Sequence, residues 1–149
     1  MERFFMVFSI GPWTKKISRA VRKERKYYLW DSPRVADPGA RLENMIALEL
    51  YRAILSWNEL GFGTFSLHFI KNRDQQEIDF LIADGGKPFI MIEAKLNKEH
   101  PSPVLLKFQN MLEVPAIQLT EQGEGFRIIT NGNQKVLVAP AYQWLSHLP

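Results

Sequence analysis

Residues 76–96 read QEIDFLIADGGKPFIMIEAKL, two apolar runs separated by a glycine-rich turn. The runs at residues 76–83 and 88–96 are rich in isoleucine and phenylalanine and predict two β-strands, and the Asp-Gly-Gly-Lys segment at residues 84–87 is typical of a hairpin. Charged residues nevertheless interrupt both apolar runs. Such local departures from a hydrophobic pattern often mark functional sites.

The spacing of these charged residues predicts one shared face. Side chains alternate along a strand, so Glu77 and Asp79 share a face of the first strand, and Glu93 and Lys95 share a face of the second. Pairing Asp79 directly with Glu93 leaves residues 85–87 as a three-residue loop, whereas a two-residue Gly-Gly turn would put the acids on opposite faces. We therefore expect the three-residue loop, with the two acid-bearing carbons about 5 Å apart.

Two carboxylates at this separation repel, and a proton, Lys95 or a divalent cation would neutralise them. Magnesium needs few carboxylates because it keeps several waters, which suits such a sparse site. A bound metal lowers the pKa of its water and polarises a phosphoryl oxygen, and Lys95 could stabilise developing negative charge, so the pattern fits phosphodiester hydrolysis. The alternative is a structural ion-pair cluster at a sheet edge, with Glu77 either a surface residue or an additional ligand.

The rest of the chain predicts an α/β fold. A broad apolar face recurs every three to four residues over residues 40–57, which indicates an amphipathic helix. The further elements expected are strands at 3–10 (ending before Gly11-Pro12), 27–30, 64–70 and 114–120, a helix at 103–112, a hairpin at 126–139 and a helix at 140–147. The body thus follows the order helix, three strands, helix, strand, hairpin and helix, a layered α/β arrangement.

Charge is unevenly distributed along the 149 residues. Residues 1–30 carry eight basic and two acidic side chains, a net of +6, whereas residues 31–149 have a net charge of −3. We therefore predict a basic N-terminal segment, 1–30, ahead of a domain at 31–149. The segment is either a solvated linker or a phosphate-binding arm, whose candidate DNA contacts are Lys15, Lys16, Arg19, Arg22 and Lys23.

Several functional classes are excluded by composition. The chain has no cysteine, so disulfides, thiolate zinc sites and a cysteine nucleophile are excluded. Its three histidines lack the i, i+4 spacing of a helical metal pair. No apolar run approaches the roughly 20 residues of a membrane span, and the opening residues do not form a convincing signal peptide. We therefore expect a cytoplasmic protein without membrane contact.

Asp79, followed by a hairpin and by Glu93-Ala94-Lys95, resembles the D…(D/E)xK signature of the PD-(D/E)XK nuclease superfamily. Glu43 resembles the glutamate on that superfamily's N-terminal helix, and the order helix, three strands, helix, strand is similar to its core. The resemblance implies an α/β restriction-endonuclease-like core (helix, three-stranded meander, helix, strand) with a C-terminal hairpin and helix.

The same resemblance implies roles for individual residues. Asp79, Glu93 and the Ala94 carbonyl would ligate Mg²⁺ or Mn²⁺, with Lys95 as the catalytic lysine and Glu43 as a supporting acid. Glu49 on the same helix is an alternative to Glu43, and Gln109 on the following helix is a candidate accessory residue.

A closer likeness involves four segments: KYYLWDSPRV, RLENMIALELY, QEIDFLI and IEAKLNK. In this order they resemble the domain of unknown function that follows the ATPase module in many prokaryotic AAA-type ATPase-like proteins. The chain itself contains no GxxxxGK[ST] phosphate-binding loop, and residues 1–30 would then be a remnant of an upstream winged-helix or ATPase protein. The resemblance implies two functions: a Mg²⁺-dependent deoxyribonuclease, or a non-catalytic module that binds DNA or protein for an AAA-type ATPase.

Overall fold

An eight-stranded mixed β-sheet forms the centre of the protein, as seen in a computed structural model that describes residues 7–15, 24–97 and 99–149. The strands are β1 (Val7–Pro12), β2 (Lys26–Leu29), β3 (Phe65–Lys71), β4 (Glu77–Asp84), β5 (Lys87–Lys95), β6 (Ala116–Thr120), β7 (Arg127–Asn131) and β8 (Gln134–Pro140). The helices are α1 (Pro38–Glu59), α2 (Pro103–Leu112) and α3 (Ala141–Leu145), and Ser32–Arg34 form a 3₁₀ turn.

The strand order across the sheet is β2-β1-β3-β4-β5-β6-β8-β7. Strands β3, β4 and β5 form an antiparallel meander, α2 then crosses to β6, and β6 runs parallel to β5 and to β8. The α/β class is therefore confirmed, and the predicted order of helix, three strands, helix, strand, hairpin and helix is observed.

Two hydrophobic cores lie on the two faces of this sheet. On one face, α1 and α3 pack against the sheet around residues such as Ile46, Leu50 and Phe80. On the other face, Leu105 and Phe108 of α2 form a smaller core. Buried apolar area of this kind is the main stabilising contribution to such a layered fold.

Helix α1 begins two residues earlier and ends two residues later than residues 40–57. The Asp37 side chain accepts a hydrogen bond from Ala40 N at 2.8 Å and so caps the first turn. Pro38 follows at the first helical position, where its missing N–H costs nothing. Beyond the helix Gly61 adopts a φ of +77°, which favours a stop there.

The turn of the β4–β5 hairpin differs from the expectation. Asp84 pairs with Lys87, so the turn consists of Gly85 and Gly86 alone, and the predicted three-residue loop at 85–87 is wrong. Both glycines adopt positive φ angles, 57° and 80°, as a two-residue hairpin turn with the right twist requires.

A β-bulge compensates for the shorter turn. Ile82 pairs with Ile90 but Ala83 pairs with Pro88, so Phe89 is an extra residue on β5. Beyond this bulge Phe80 pairs with Ile92, which is the register that the sequence predicted. The bulge therefore restores the alignment that a regular two-residue hairpin would have lost.

A second irregularity changes the faces of β4. His68 pairs with Leu81 but Ile70 pairs with Ile78, so two β4 residues lie opposite one residue of β3. Ile78 accordingly packs in the α2-side core, while Phe80 packs in the α1-side core. Simple alternation of side chains therefore fails between Ile78 and Phe80.

The described parts of residues 1–30 contribute to the sheet. β1 pairs with β2, and its last two residues, Gly11 and Pro12, pair in parallel with β3. The strand thus continues through the Gly-Pro pair that was expected to end it, and positions 3–6 of the predicted strand lie outside the described residues. Phe8 and Tyr28 are buried in the α1-side core. No helix in the described parts of the chain is long and apolar enough to cross a membrane.

Candidate functional site

A group of charged side chains surrounds the Lys26 ammonium at the end of β2. The Nζ atom lies 2.8 Å from Glu43 Oε1, 2.5 Å from Glu77 Oε1 and 3.9 Å from Asp79 Oδ1. The Tyr28 hydroxyl donates a hydrogen bond of 2.8 Å to the same Glu43 oxygen. We call these five residues the Lys26 cluster. Strand β2 places Lys26 and Tyr28 two positions apart, so both side chains project from one face toward α1 and β4.

Asp79 is the most strongly perturbed acid of the Lys26 cluster. Burial raises the pKa of its carboxyl from 3.8 to about 7, and the negative charges of Glu43 and Glu93 act in the same direction. The hydrogen bond from Ala94 N and the positive charge of Lys26 oppose this rise in pKa without cancelling it. Near neutral pH the Asp79 carboxyl is therefore partly protonated, and an additional positive charge beside it would favour the ionised form.

Lys26 and Tyr28, the two proton donors of the cluster, keep their protons. Burial lowers the pKa of Lys26, but the charge of Glu43 and the hydrogen bonds to Glu43 and Glu77 outweigh it and raise this pKa above 10.5. Burial, together with the charge of Glu43, raises the pKa of Tyr28 above its usual range. Lys26 is thus a permanent cation and Tyr28 a permanent donor.

A second group lies where α2 begins, and we call its four residues, Glu93, Lys95, Ser102 and Gln118, the Glu93 cluster. The buried Glu93 carboxylate contacts Lys95 Nζ at 3.1 Å through Oε1 and accepts a 2.5 Å hydrogen bond from Ser102 Oγ at Oε2. Ser102 Oγ also accepts from Leu105 N at 3.1 Å, which makes Ser102 the N-cap of α2. Gln118 is paired with Glu93 across β5 and β6, and its Oε1 accepts from Ser102 N at 3.1 Å.

Ala94 connects the two clusters. The antiparallel ladder of β4 and β5 reaches the pair Phe80–Ile92 at this end. Beyond that pair, Asp79 Oδ2 accepts the N–H of Ala94 at 2.8 Å. Because the N–H and C=O of one strand residue point to the same side, the Ala94 carbonyl also faces the β4 side. The Asp79 carboxylate, this carbonyl and the strand segment carrying Glu93 and Lys95 therefore meet where β4 and β5 separate.

The chemistry of this donor set suits a hard divalent cation. The two clusters contain four carboxylates and two ammonium groups, a formal charge of −2 when all are ionised. Asp79, Glu93 and the Ala94 carbonyl offer oxygen ligands, and Mg²⁺ binds proteins through one or two carboxylates and retains waters. Among residues 7–15, 24–97 and 99–149, no group of three or more histidine, cysteine, aspartate or glutamate side chains could hold a metal ion, so a cation here would depend on two carboxylates and a main-chain carbonyl.

The structure brings some of the predicted residues together and separates others. Glu43 and Glu77 join Asp79 in the Lys26 cluster, while Lys95 joins Glu93. Glu49 instead pairs with Arg52 at 3.2 Å on the exposed side of α1. Gln109 donates to Lys135 O at 2.9 Å, so its described contact is with β8 and not with either cluster. Of the candidate DNA contacts, Lys15 is exposed, and Lys16, Arg19, Arg22 and Lys23 lie outside the described residues.

Four residues of the two clusters were missed as site residues from the sequence: Lys26, Tyr28, Ser102 and Gln118. The charge pattern places Lys26 in the basic segment. Its spacing of two residues from a tyrosine in a short strand would have predicted an inward-facing lysine. Ser102 precedes Pro103 at a predicted helix start, and that pattern identifies it as an N-cap but not as a partner of Glu93.

Fold and geometry define a mixed α/β domain with two linked acid–lysine clusters at one end of its sheet. The chain belongs to the family described as Domain of unknown function (DUF4143), whose model matches residues 38–142. Lys26 and Tyr28 precede the matched residues. No curated protein matches the chain.

A solved structure with some similarity is a refined half-complex from a tetradecameric assembly of Thermococcus gammatolerans McrB AAA+ hexamers with bound McrC. The sequence identity is 15% and the TM-score 0.49, and the similarity covers 68% of this chain and 27% of that one.

Proposed function

We propose that the protein is a divalent-cation-dependent nuclease domain of the PD-(D/E)XK type that hydrolyses phosphodiester bonds of DNA. One observation carries this proposal: Asp79 Oδ2 accepts a hydrogen bond from the N–H of Ala94, the residue between Glu93 and Lys95. The acid of one strand and the Glu-x-Lys segment of the next therefore meet at the point where the strands separate. The observed order of elements, helix, three strands, helix and strand, supports this proposal.

Asp79, Glu93 and the Ala94 carbonyl would hold Mg²⁺ or Mn²⁺, which would polarise a phosphoryl oxygen and activate a water. Lys95 has a side chain one-third exposed and lies 3.1 Å from Glu93, so its ammonium can reach a phosphate next to the acids. There it would stabilise the negative charge that develops in the transition state. Ser102 would keep the Glu93 carboxylate in one orientation, and Glu43 would act on Asp79 through its charge.

A cleavage assay tests this function. Purified protein is incubated with supercoiled, linear and branched DNA in Mg²⁺ or Mn²⁺, and the expected result is cleavage that EDTA, Asp79→Ala or Lys95→Ala abolishes. Lys87→Ala, an exposed lysine at the start of the same strand, is the matched control and should cleave normally. Absence of cleavage, or equal cleavage by the Asp79 and Lys95 variants, would contradict the proposal.

A second candidate function is a non-catalytic module that binds DNA or protein for an AAA-type ATPase. It is favoured by the ion pairs themselves, because Lys26 and Lys95 already neutralise part of the acidic charge without a metal. The basic residues between β1 and β2, of which Lys15 is exposed, would supply phosphate contacts. The likeness to domains that follow an ATPase module supports such a partner.

Salt-dependent DNA binding without cleavage is the result expected for this second function. Replacing Lys15, Lys16, Arg19, Arg22 and Lys23 by glutamine should then weaken binding and flatten its dependence on salt concentration. Binding that survives these substitutions unchanged would exclude the basic segment as the DNA contact.

A further inference from the structure

The Lys26 ammonium occupies a position that resembles that of a bound cation. Its Nζ atom lies within 4.0 Å of oxygens from three carboxylates on two elements, one on α1 and two on β4. No other lysine or arginine in the described part of the chain contacts three acids. The side chain is only 23% exposed, so these carboxylates, rather than water, provide most of its charged environment.

The position of Lys26 is fixed by the packing around it. Tyr28, two residues along β2, is buried in the α1-side core and shares the Glu43 oxygen that Lys26 contacts. The ammonium also lies 5.7 Å from the centroid of the Phe69 ring, close enough for a cation–π attraction. A strand outside the residues matched by the family model thus delivers a positive charge to the acids of the family domain.

The Lys26 ammonium lies next to Asp79, which is one of the proposed cation ligands. Asp79 Oδ1 is 3.9 Å from Lys26 Nζ, while Asp79 Oδ2 is held by Ala94 N. An ion bound to Asp79 through Oδ1 would lie within a few ångströms of the ammonium. Two cations at that separation repel strongly in a partly buried site, where solvent screening is weak.

We infer that Lys26 is an internal competitor of the divalent cation, so that either its ammonium or the metal neutralises Asp79. This inference rests on the proposed function, because it concerns the same cation site. In the metal-free protein Lys26 holds Glu43, Glu77 and Asp79 together. When the cation binds, Asp79 would contact the cation in place of the Lys26 ammonium. The ammonium would then move away from Asp79 toward solvent. The strand β2 therefore sets the cation affinity of the site.

Mn²⁺ binding measured by electron paramagnetic resonance and calorimetry tests this inference without any cleavage assay. Lys26→Met removes the competing charge, and we expect it to bind Mn²⁺ about tenfold or more tightly than the wild type. Lys26→Arg keeps the charge and should bind like the wild type. Lys87→Met is the control, because Lys87 is an exposed lysine at the β4–β5 turn, at the opposite end of β5 from Glu93 and Lys95.

A chemical probe on the wild-type protein covers the case in which Lys26→Met fails to fold. Lysines are labelled with a succinimidyl ester in EDTA or in Mg²⁺, and the extent of labelling at each position is read by peptide mass spectrometry. We expect Mg²⁺ to raise labelling of Lys26 several-fold, because its ammonium is released, and to leave that of Lys87 unchanged.

The outcomes separate this inference from the proposed function. Equal or weaker Mn²⁺ binding by Lys26→Met, or unchanged labelling of Lys26 in a wild type that binds Mg²⁺, refutes the competition but leaves the metal site intact. If Lys26→Met binds Mn²⁺ and the wild type does not, the competition is supported, because the Lys26 charge then prevents cation binding altogether. Absence of Mn²⁺ binding by every variant refutes both the competition and the metal-dependent function.

Discussion

Replacing Asp79 with asparagine should remove a pH-dependent cost to stability. The folded protein holds the Asp79 pKa at about 7 against an ordinary value of 3.8, chiefly through burial. Between these two values the folded state binds more protons than the unfolded state, so stability falls as the pH rises through this window and is constant above it. At 1.36 kcal/mol for each pKa unit, the loss is about 4 kcal/mol. Asparagine is nearly isosteric, can still accept from Ala94 N and has no charge to bury.

The assay is urea unfolding in EDTA at pH 4, 6 and 8, followed by tryptophan fluorescence. We expect the free energy of unfolding of Asp79→Asn, relative to wild type, to rise by about 4 kcal/mol from pH 4 to pH 8. Asp74→Asn, in the exposed turn between β3 and β4, is the control and should follow the wild type at each pH. Equal pH dependence of Asp79→Asn and wild type, or a variant that loses stability at pH 8, would show that burying the Asp79 charge does not cost stability.

Three further substitutions test the local structure, each by urea unfolding. Ser102→Ala should cost about 2–3 kcal/mol, because it removes a helix cap and the 2.5 Å hydrogen bond to buried Glu93, and Ser102→Thr should restore most of the loss. Asn44→Ala should cost about 3 kcal/mol, since the Asn44 side chain bonds both N and O of Leu29 at 2.8 and 2.7 Å, and equal stability would exclude this role. Gly86→Ala should cost only about 1–2 kcal/mol, because its φ is +80° but a Cβ there meets nothing within 4 Å; a larger loss would indicate an unseen contact.

The helices and the order of helices and strands along residues 40–147 could be predicted from the sequence because those signals are local. Helix α1 has an apolar stripe, a capping Asp37 and a proline at its start, and these features all lie within the helix and its flanks. The α2 boundary likewise follows from Ser102 and Pro103. Elements with such consistent local patterns are those that a sequence specifies most directly.

The details of the site were less predictable, since they depend on irregularities and long-range contacts. The β5 bulge at Phe89 and the β4 bulge near Asp79 each shift the side-chain alternation, and no residue pattern marked either one. Lys26 reaches Glu43 and Glu77 across separations of 17 and 51 positions in the chain, so counting charges by segment assigned it to the basic segment. The pairing of Phe80 with Ile92 was nevertheless confirmed, because the turn is one residue shorter than expected and the bulge at Phe89 adds one residue to β5.

Anomalous diffraction from crystals soaked in MnCl₂ shows whether Asp79 and Glu93 hold a divalent cation. We expect one anomalous peak at coordination distance from Asp79 Oδ1, a Glu93 oxygen and the Ala94 carbonyl, with the Lys26 ammonium moved away from Asp79. A fully soaked crystal with no peak at these residues, and with Lys26 still within 4.0 Å of its three carboxylates, would exclude this cation site.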